Sequence, residues 1–152
     1  MAPDSKNSKE PKDPKDSPAS PDSKDKSKGK SACQYLRFVN STRKTVLAER
    51  ALSARTVIAR FKGLLGTREL VEGCGLLLDP CTGIHMFWMT YAIDAIFVDR
   101  DYKVVGLVQN IKPWAVSKVY RKARACLELP TGTIELSSTQ VGDVLNFELV
   151  VD

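Results

Sequence analysis

The sequence predicts an α+β fold: a β-rich domain with a mostly antiparallel curved sheet, or partial barrel, and one principal helix. Three observations carry this. Short β-prone runs recur from Cys33 to the end of the chain, separated by turn residues such as Asn40-Ser41-Thr42, Pro130-Thr131-Gly132 and Gly142-Asp143. One segment, Thr56–Leu65, carries a clear helical stripe. The strands are joined mainly by connections short enough for hairpins, which makes neighbours antiparallel.

Residues 1–32 consist almost wholly of Lys, Asp, Ser and Pro. They offer too little apolar surface to offset the entropy of ordering, so a disordered tail is expected, with residues 33–152 forming a single domain. A domain of that size needs neither disulfide nor metal for stability. Within the formal charge of +5, eight lysines against six acidic residues in positions 1–31 supply +2. The folded part carries only +3, too weak and scattered to argue for a nucleic-acid partner.

Order is expected to begin with a hairpin, Tyr35–Val39 turning at Asn40-Ser41-Thr42 into a strand from Thr45 to about residue 54. Thr56 resembles an N-cap. Val57, Ile58, Phe61, Leu64 and Leu65 then share one helical face, and Gly66 suits a left-handed cap. Leu76–Leu78 reads as a buried strand, followed by a turn over Asp79-Pro80-Cys81-Thr82-Gly83. Residues 84–90 are predicted to be extended and covered on both faces, because both alternating sets are apolar. Ala95–Val98 and Lys103–Gln109 form a second hairpin around Asp99-Arg100-Asp101-Tyr102. Residues 115–124, with Lys118, Arg121, Lys122 and Arg124, read as an exposed loop. The strand Ala125–Leu129, a single turn near Ile134-Glu135-Leu136 and a last strand, Val144–Val151, complete the chain.

The residues that invite a functional reading cluster between positions 81 and 114. His85 is the only histidine, and Trp88 and Trp114 are the only tryptophans. Aromatic walls with a few polar groups are the usual make-up of ligand pockets, so a cleft near His85, Trp88, Met89, Asp94 and Trp114, with Tyr91 beside them, is the first candidate binding site. Asp94 lies in an apolar run and must be hydrogen-bonded or paired there; capping backbone amides is its simplest use. Glu128 alternates with Leu127 and Leu129 and so faces solvent or the site.

An alternative reading uses thiols. Cys81 and His85, three residues apart, suit a Cys–His nucleophile if the loop is tight. Cys74, Cys81 and His85 would make a soft set of ligands for zinc or copper, although C-x6-C-x3-H is not a zinc-finger spacing. A third reading has these residues only holding the fold together. The four cysteines form no C-x-x-C pair, and neither a secretory signal nor a membrane-length apolar run is seen. A cytoplasmic protein with reduced thiols is therefore expected. The partner reads as a small molecule or a protein, and no motif specifies a cofactor.

Several motifs in one order make a resemblance specific. These are Lys62-Gly63-Leu64-Leu65, Gly73-x-Gly75-Leu-Leu-Leu78, His85-Met-Phe-Trp-Met89, Ala92-Ile-Asp94-Ala-Ile-Phe-Val-Asp99, Lys103-Val-Val105, Cys126-Leu-Glu-Leu-Pro130-x-Gly132 and Gly142-Asp143. The chain resembles the bacterial and archaeal domain-of-unknown-function family 192, also called uncharacterised protein family UPF0127, over about residues 45–148. Leu65 stands where that family has methionine, and Ala92 where it commonly has proline. The resemblance implies a compact β-rich domain, singles out His85, Trp88, Met89 and Asp94, and implies no catalytic assignment.

Overall fold

The computed structural model describes residues 34–55 and 68–151. The expected principal helix, Thr56–Leu65, and the tail lie outside these residues. The seven strands are β1 (Gln34–Asn40), β2 (Thr45–Ala54), β3 (Cys74–Leu78), β4 (Ile93–Val98), β5 (Val104–Ile111), β6 (Ala125–Pro130) and β7 (Leu145–Val151). A single described helix, α1 (Thr133–Leu136), is one turn long and lies where the sequence predicts a turn of helix.

The strands form one sheet in the order β5-β4-β6-β3-β2-β1-β7. All pairs are antiparallel except β2 and β3, which run parallel from Arg50↔Cys74 to Ala54↔Leu78. Both expected hairpins, β1–β2 and β4–β5, form. The β4–β5 turn is held by Asp99, whose Oδ1 accepts the amides of Asp101 at 2.9 Å and Lys103 at 3.0 Å. The other neighbours are distant in sequence: β6 inserts between β3 and β4, and β7 pairs with β1. Strand patterns specify which face is apolar, not which strand lies beside which, so these insertions are not visible in local sequence. The sheet curls without closing. At one end its two edge strands meet through the bridge Lys103↔Val144, where the Val104 amide donates to Asp143 O at 2.8 Å.

Each face of the sheet has its own core. Leu76, Leu78, Ala95, Phe97 and Cys126 project to one side, where Cys81, Ile84, Met86, Met89 and Ala123 from two long loops cover them. Leu77, Ile96, Val98, Leu127 and Leu129 project to the other, against Phe38, Leu47, Ile134 and Leu145. Every residue of β4 is buried, because it is paired on both edges and covered on both faces.

A buried polar knot fastens the β1–β2 turn to the start of β7. Asn40 Nδ2 donates to Asp143 Oδ2 (2.9 Å) and to Thr139 Oγ1 (3.0 Å), while Arg43 Nε donates to Asp143 Oδ2 (3.0 Å). Burial by itself raises the Asp143 carboxyl, but the bonds from Arg43, Asn40 and the Gln140 amide outweigh it and hold the group below its ordinary range.

Candidate functional site

The expectation of a doubly covered strand over residues 84–90 is corrected by the structure. Ile84, Met86 and Met89 are buried, whereas His85, Trp88 and Thr90 are exposed. The segment is an irregular loop whose β-pairing is a single bridge, His85↔Val116. That bridge lies in a two-loop flap. Tyr120 N donates to Thr82 O, Ser117 N to Ile84 O, Met86 N to Ala115 O and Trp114 N to Met86 O, all at 2.8–2.9 Å. Alternation survives in part: Ile84 and Met86 seal the core below while His85 and Val116 face outward.

Two β-turns form the tip of the flap. In Met86-Phe87-Trp88-Met89 the Met89 amide donates to Met86 O (3.2 Å); in Lys112-Pro113-Trp114-Ala115 the Ala115 amide donates to Lys112 O (3.1 Å). Each turn has a tryptophan at its third position, with φ of 61° at Trp88 and 67° at Trp114. That is the place where a type II turn ordinarily takes glycine. A left-handed backbone costs a residue with a side chain roughly 1–2 kcal/mol.

The side chains so held are not buried: Trp88 is 68% exposed and Trp114 59%. Their ring centroids lie 5.7 Å apart at an angle of 57°. Phe87 contacts both indoles, at 6.0 and 6.1 Å, and stacks on His85 at 4.8 Å. Sequence reading passed over Phe87, the ring that links the others. Its signal was weak, since an aromatic between Met86 and Trp88 is indistinguishable from a core residue.

The flap is tied to the sheet by Tyr120. Its ring stacks on Phe97 (4.3 Å, 25°) and its hydroxyl donates to Leu107 O (3.2 Å). The same ring occupies the space a side chain would take at Gly106, so this strand position requires glycine.

The remaining candidates lie elsewhere. Asp94 is 1% exposed. Its Oδ1 accepts the Asn110 amide (2.8 Å) and its Oδ2 the Ile134 amide (2.9 Å), so it ties β4 to the end of β5 and to α1. Alternation along β4 puts it with Ile96 and Val98, on the face opposite Met89 and the flap. Amide capping is what the sequence suggests for Asp94, although the amides are not the neighbouring ones.

The Cys–His pair is not assembled. Cys81 is buried with its thiol donating to Gly83 O (3.3 Å), whereas His85 is exposed and stacked on Phe87. Among the described residues no three His, Cys, Asp or Glu side chains gather as metal ligands, so Cys74, Cys81 and His85 do not form the soft site considered above.

Glu128 faces neither solvent nor a cleft but lies sealed beneath the flap, 6% exposed, on the side of Cys126. Burial, and secondarily the neighbouring Cys81, pushes its carboxyl up from 4.5 to about 8. Burial likewise raises the Cys126 thiol well above its ordinary range. A groove of about 540 Å³ lies elsewhere, between the start of β2 and α1, lined by Thr45, Leu47, Glu72, Thr133 and Leu136. It contains none of the sequence-derived candidates.

The fold and site define a β-rich domain that carries a solvent-facing aromatic cluster on a two-loop flap. The chain belongs to the DUF192 family: that family's model, described as "Uncharacterized ACR", matches residues 38–147. The chain is 31% identical to a UPF0127 protein of Thermococcus sibiricus, over 73% of this chain and 74% of that one. It is 37% identical to a UPF0127 protein of Pyrococcus furiosus, over 64% and 86% of the two chains. Two crystal structures share the fold. One is a protein of unknown function from Novosphingobium aromaticivorans, with TM-score 0.64, 23% identity and coverage of 74% of this chain and 83% of that one. The other is a putative transcription regulator from Sinorhizobium meliloti, with TM-score 0.66, 20% identity and coverage of 76% and 95%. These relatives bring no assigned reaction. Among the described residues no helix is long and apolar enough to cross a membrane.

Proposed function

We propose that this domain is a non-catalytic binding module that takes a small ligand or a protein partner on the flap, through His85, Phe87, Trp88 and Trp114. The observation that carries the reading is the pair of exposed tryptophans, each held at positive φ at the same position of two joined turns. Strained backbone that supports exposed indoles does nothing for the core, and such strain collects at binding and active sites. Met89 supports the flap from beneath, and Asp94 acts at a distance by fixing β4, β5 and α1. The working unit is residues 33–152, with residues 1–32 as an appended tail. The thiols of Cys74, Cys81 and Cys126 fit residence in the reducing cytoplasm.

The two indoles are the only tryptophans in the chain, so intrinsic tryptophan emission reports on this face alone. A small-molecule screen by emission and thermal shift is expected to find ligands that raise the melting temperature and are not turned over. The double variant Trp88→Gly/Trp114→Gly is expected to fold and to lose their thermal shift. Ligands that stabilise this variant as well as the parent would overturn the assignment. Turnover of a bound ligand, abolished by His85→Ala, would make the module an enzyme instead.

A further inference from the structure

The surroundings of the aromatic cluster narrow its ligand. Residues 81–93 and 112–124, the two arms of the flap, contain no Asp or Glu. The second arm carries Lys112, Lys118, Arg121, Lys122 and Arg124. Arg124 is engaged by Asp79, its Nε 2.7 Å from Oδ1 in an approach that satisfies distance but not hydrogen-bond direction. The other four cations are exposed and make no ion pair among the described residues. The flap is thus aromatic at its tip and carries exposed cations along its second arm. Val116 (62% exposed) and Val119 (66% exposed) add aliphatic surface on the same arm, Val116 bridged directly to His85.

We infer that the ligand of this face is an anionic phospholipid, met as a membrane surface on which the flap docks. The inference rests on the binding role proposed above and takes its small-ligand branch. Indoles favour the boundary between headgroups and acyl chains, and valines gain by leaving water there. Cations close to an anionic leaflet each add attraction. The competing ligand classes fit less well. Two indoles at 57° and 5.7 Å offer no parallel slot for a nucleobase, and exposed valines contribute nothing to stacking. A sugar site would be expected to offer carboxylate acceptors to hydroxyl groups, and the flap has none.

The test uses the full chain with phosphatidylglycerol–phosphatidylcholine vesicles, and with phosphatidylcholine vesicles as reference. Tryptophan emission is expected to shift to the blue and to be quenched by brominated acyl chains with the anionic vesicles. Binding to phosphatidylcholine alone should be at least about tenfold weaker, and salt should weaken the anionic binding. Lys118→Gln/Arg121→Gln/Lys122→Gln keeps both indoles and is expected to lower partitioning on the order of a hundredfold, at about fivefold per cation. Residues 1–31 hold lysines but no tryptophan, so cosedimentation without an emission change would mean that the tail binds, and would overturn the proposal. An emission change with polyglutamate or a single-stranded oligonucleotide, and none with vesicles, would also overturn it while leaving the aromatic face as a binding surface. Unaltered vesicle binding by the Trp88→Gly/Trp114→Gly variant would remove both the lipid assignment and the site.

Discussion

Residues 84–90 and 93–98 lie almost end to end, are comparably apolar, and meet opposite fates. The second segment becomes β4, with every side chain buried. The first becomes the tip of a flap, with Trp88 68% exposed. Hydrophobicity does not separate them; backbone pairing does. β4 has strands on both sides, β5 and β6, and its faces are covered by Ile84, Met86 and Met89 of the loops on one side and by Phe38, Leu47, Ile134 and Leu145 on the other. The flap segment has one partner, the opposite loop, and the positive-φ turn at Trp88 breaks its alternation. An apolar run is therefore a statement about what a segment prefers to touch, and the number of hydrogen-bonded neighbours determines whether it can.

The contrast can be probed from both ends. The largest effect is expected at Phe97, fully buried on β4 and stacked under Tyr120; Phe97→Ala should cost roughly 3–5 kcal/mol in urea unfolding. A cost below about 1 kcal/mol would mean that β4 is not the anchor of the flap. Next is the pH dependence set by Glu128, raised in the folded state from 4.5 to about 8. Between those values the folded protein binds a proton that the unfolded chain has released. Stability from this group is therefore complete below pH 4.5 and is lost as pH rises through about 8, by on the order of 5 kcal/mol as an upper bound. Glu128→Gln should flatten that part of the curve, and an unchanged slope would refute the assignment. Asp143 acts in the opposite sense: its contribution is present above the ordinary carboxylate range and disappears only as pH falls through its lowered value.

Asp94→Ala should cost roughly 2–3 kcal/mol, because the buried Ile134 amide and the part-buried Asn110 amide lose a charged acceptor. Asp94→Asn, which keeps one good acceptor, should recover part of that loss, as chemical denaturation would reveal. The smallest effect belongs to the flap. Trp88→Gly should be more stable than Trp88→Ala by about 1 kcal/mol, since only glycine relieves the positive φ. If alanine proves equal or better, the turn is not strained, and the main support for a binding role at Trp88 disappears.

Much of this architecture was legible in local sequence. Both hairpins, the last strand and the single turn near Ile134 follow from alternation and turn residues, and Asp99 caps the turn its spacing suggests. The motif order also identified the family. The misplaced elements share one cause. Residues 84–90 look like a core strand because Ile84, Met86 and Met89 do reach the core, and nothing in their pattern reveals a turn with Trp88 in a glycine position. Asp94 looks like a neighbour of Trp88 because only a few residues separate them, yet it projects through the other side of the sheet.

By itself the sequence determined the strands other than the misread 84–90 segment, the antiparallel bias and the family, because each depends on periodicity and turn chemistry within a few residues. Tertiary structure alone decided that β6 enters between β3 and β4 and that Tyr120 clamps the flap against Gly106. It also decided that His85, Phe87, Trp88 and Trp114 converge outside the core while Glu128 is sealed beneath. Those outcomes depend on contacts between segments far apart along the chain, and local preference carries no information about which distant surface arrives to cover a given side chain.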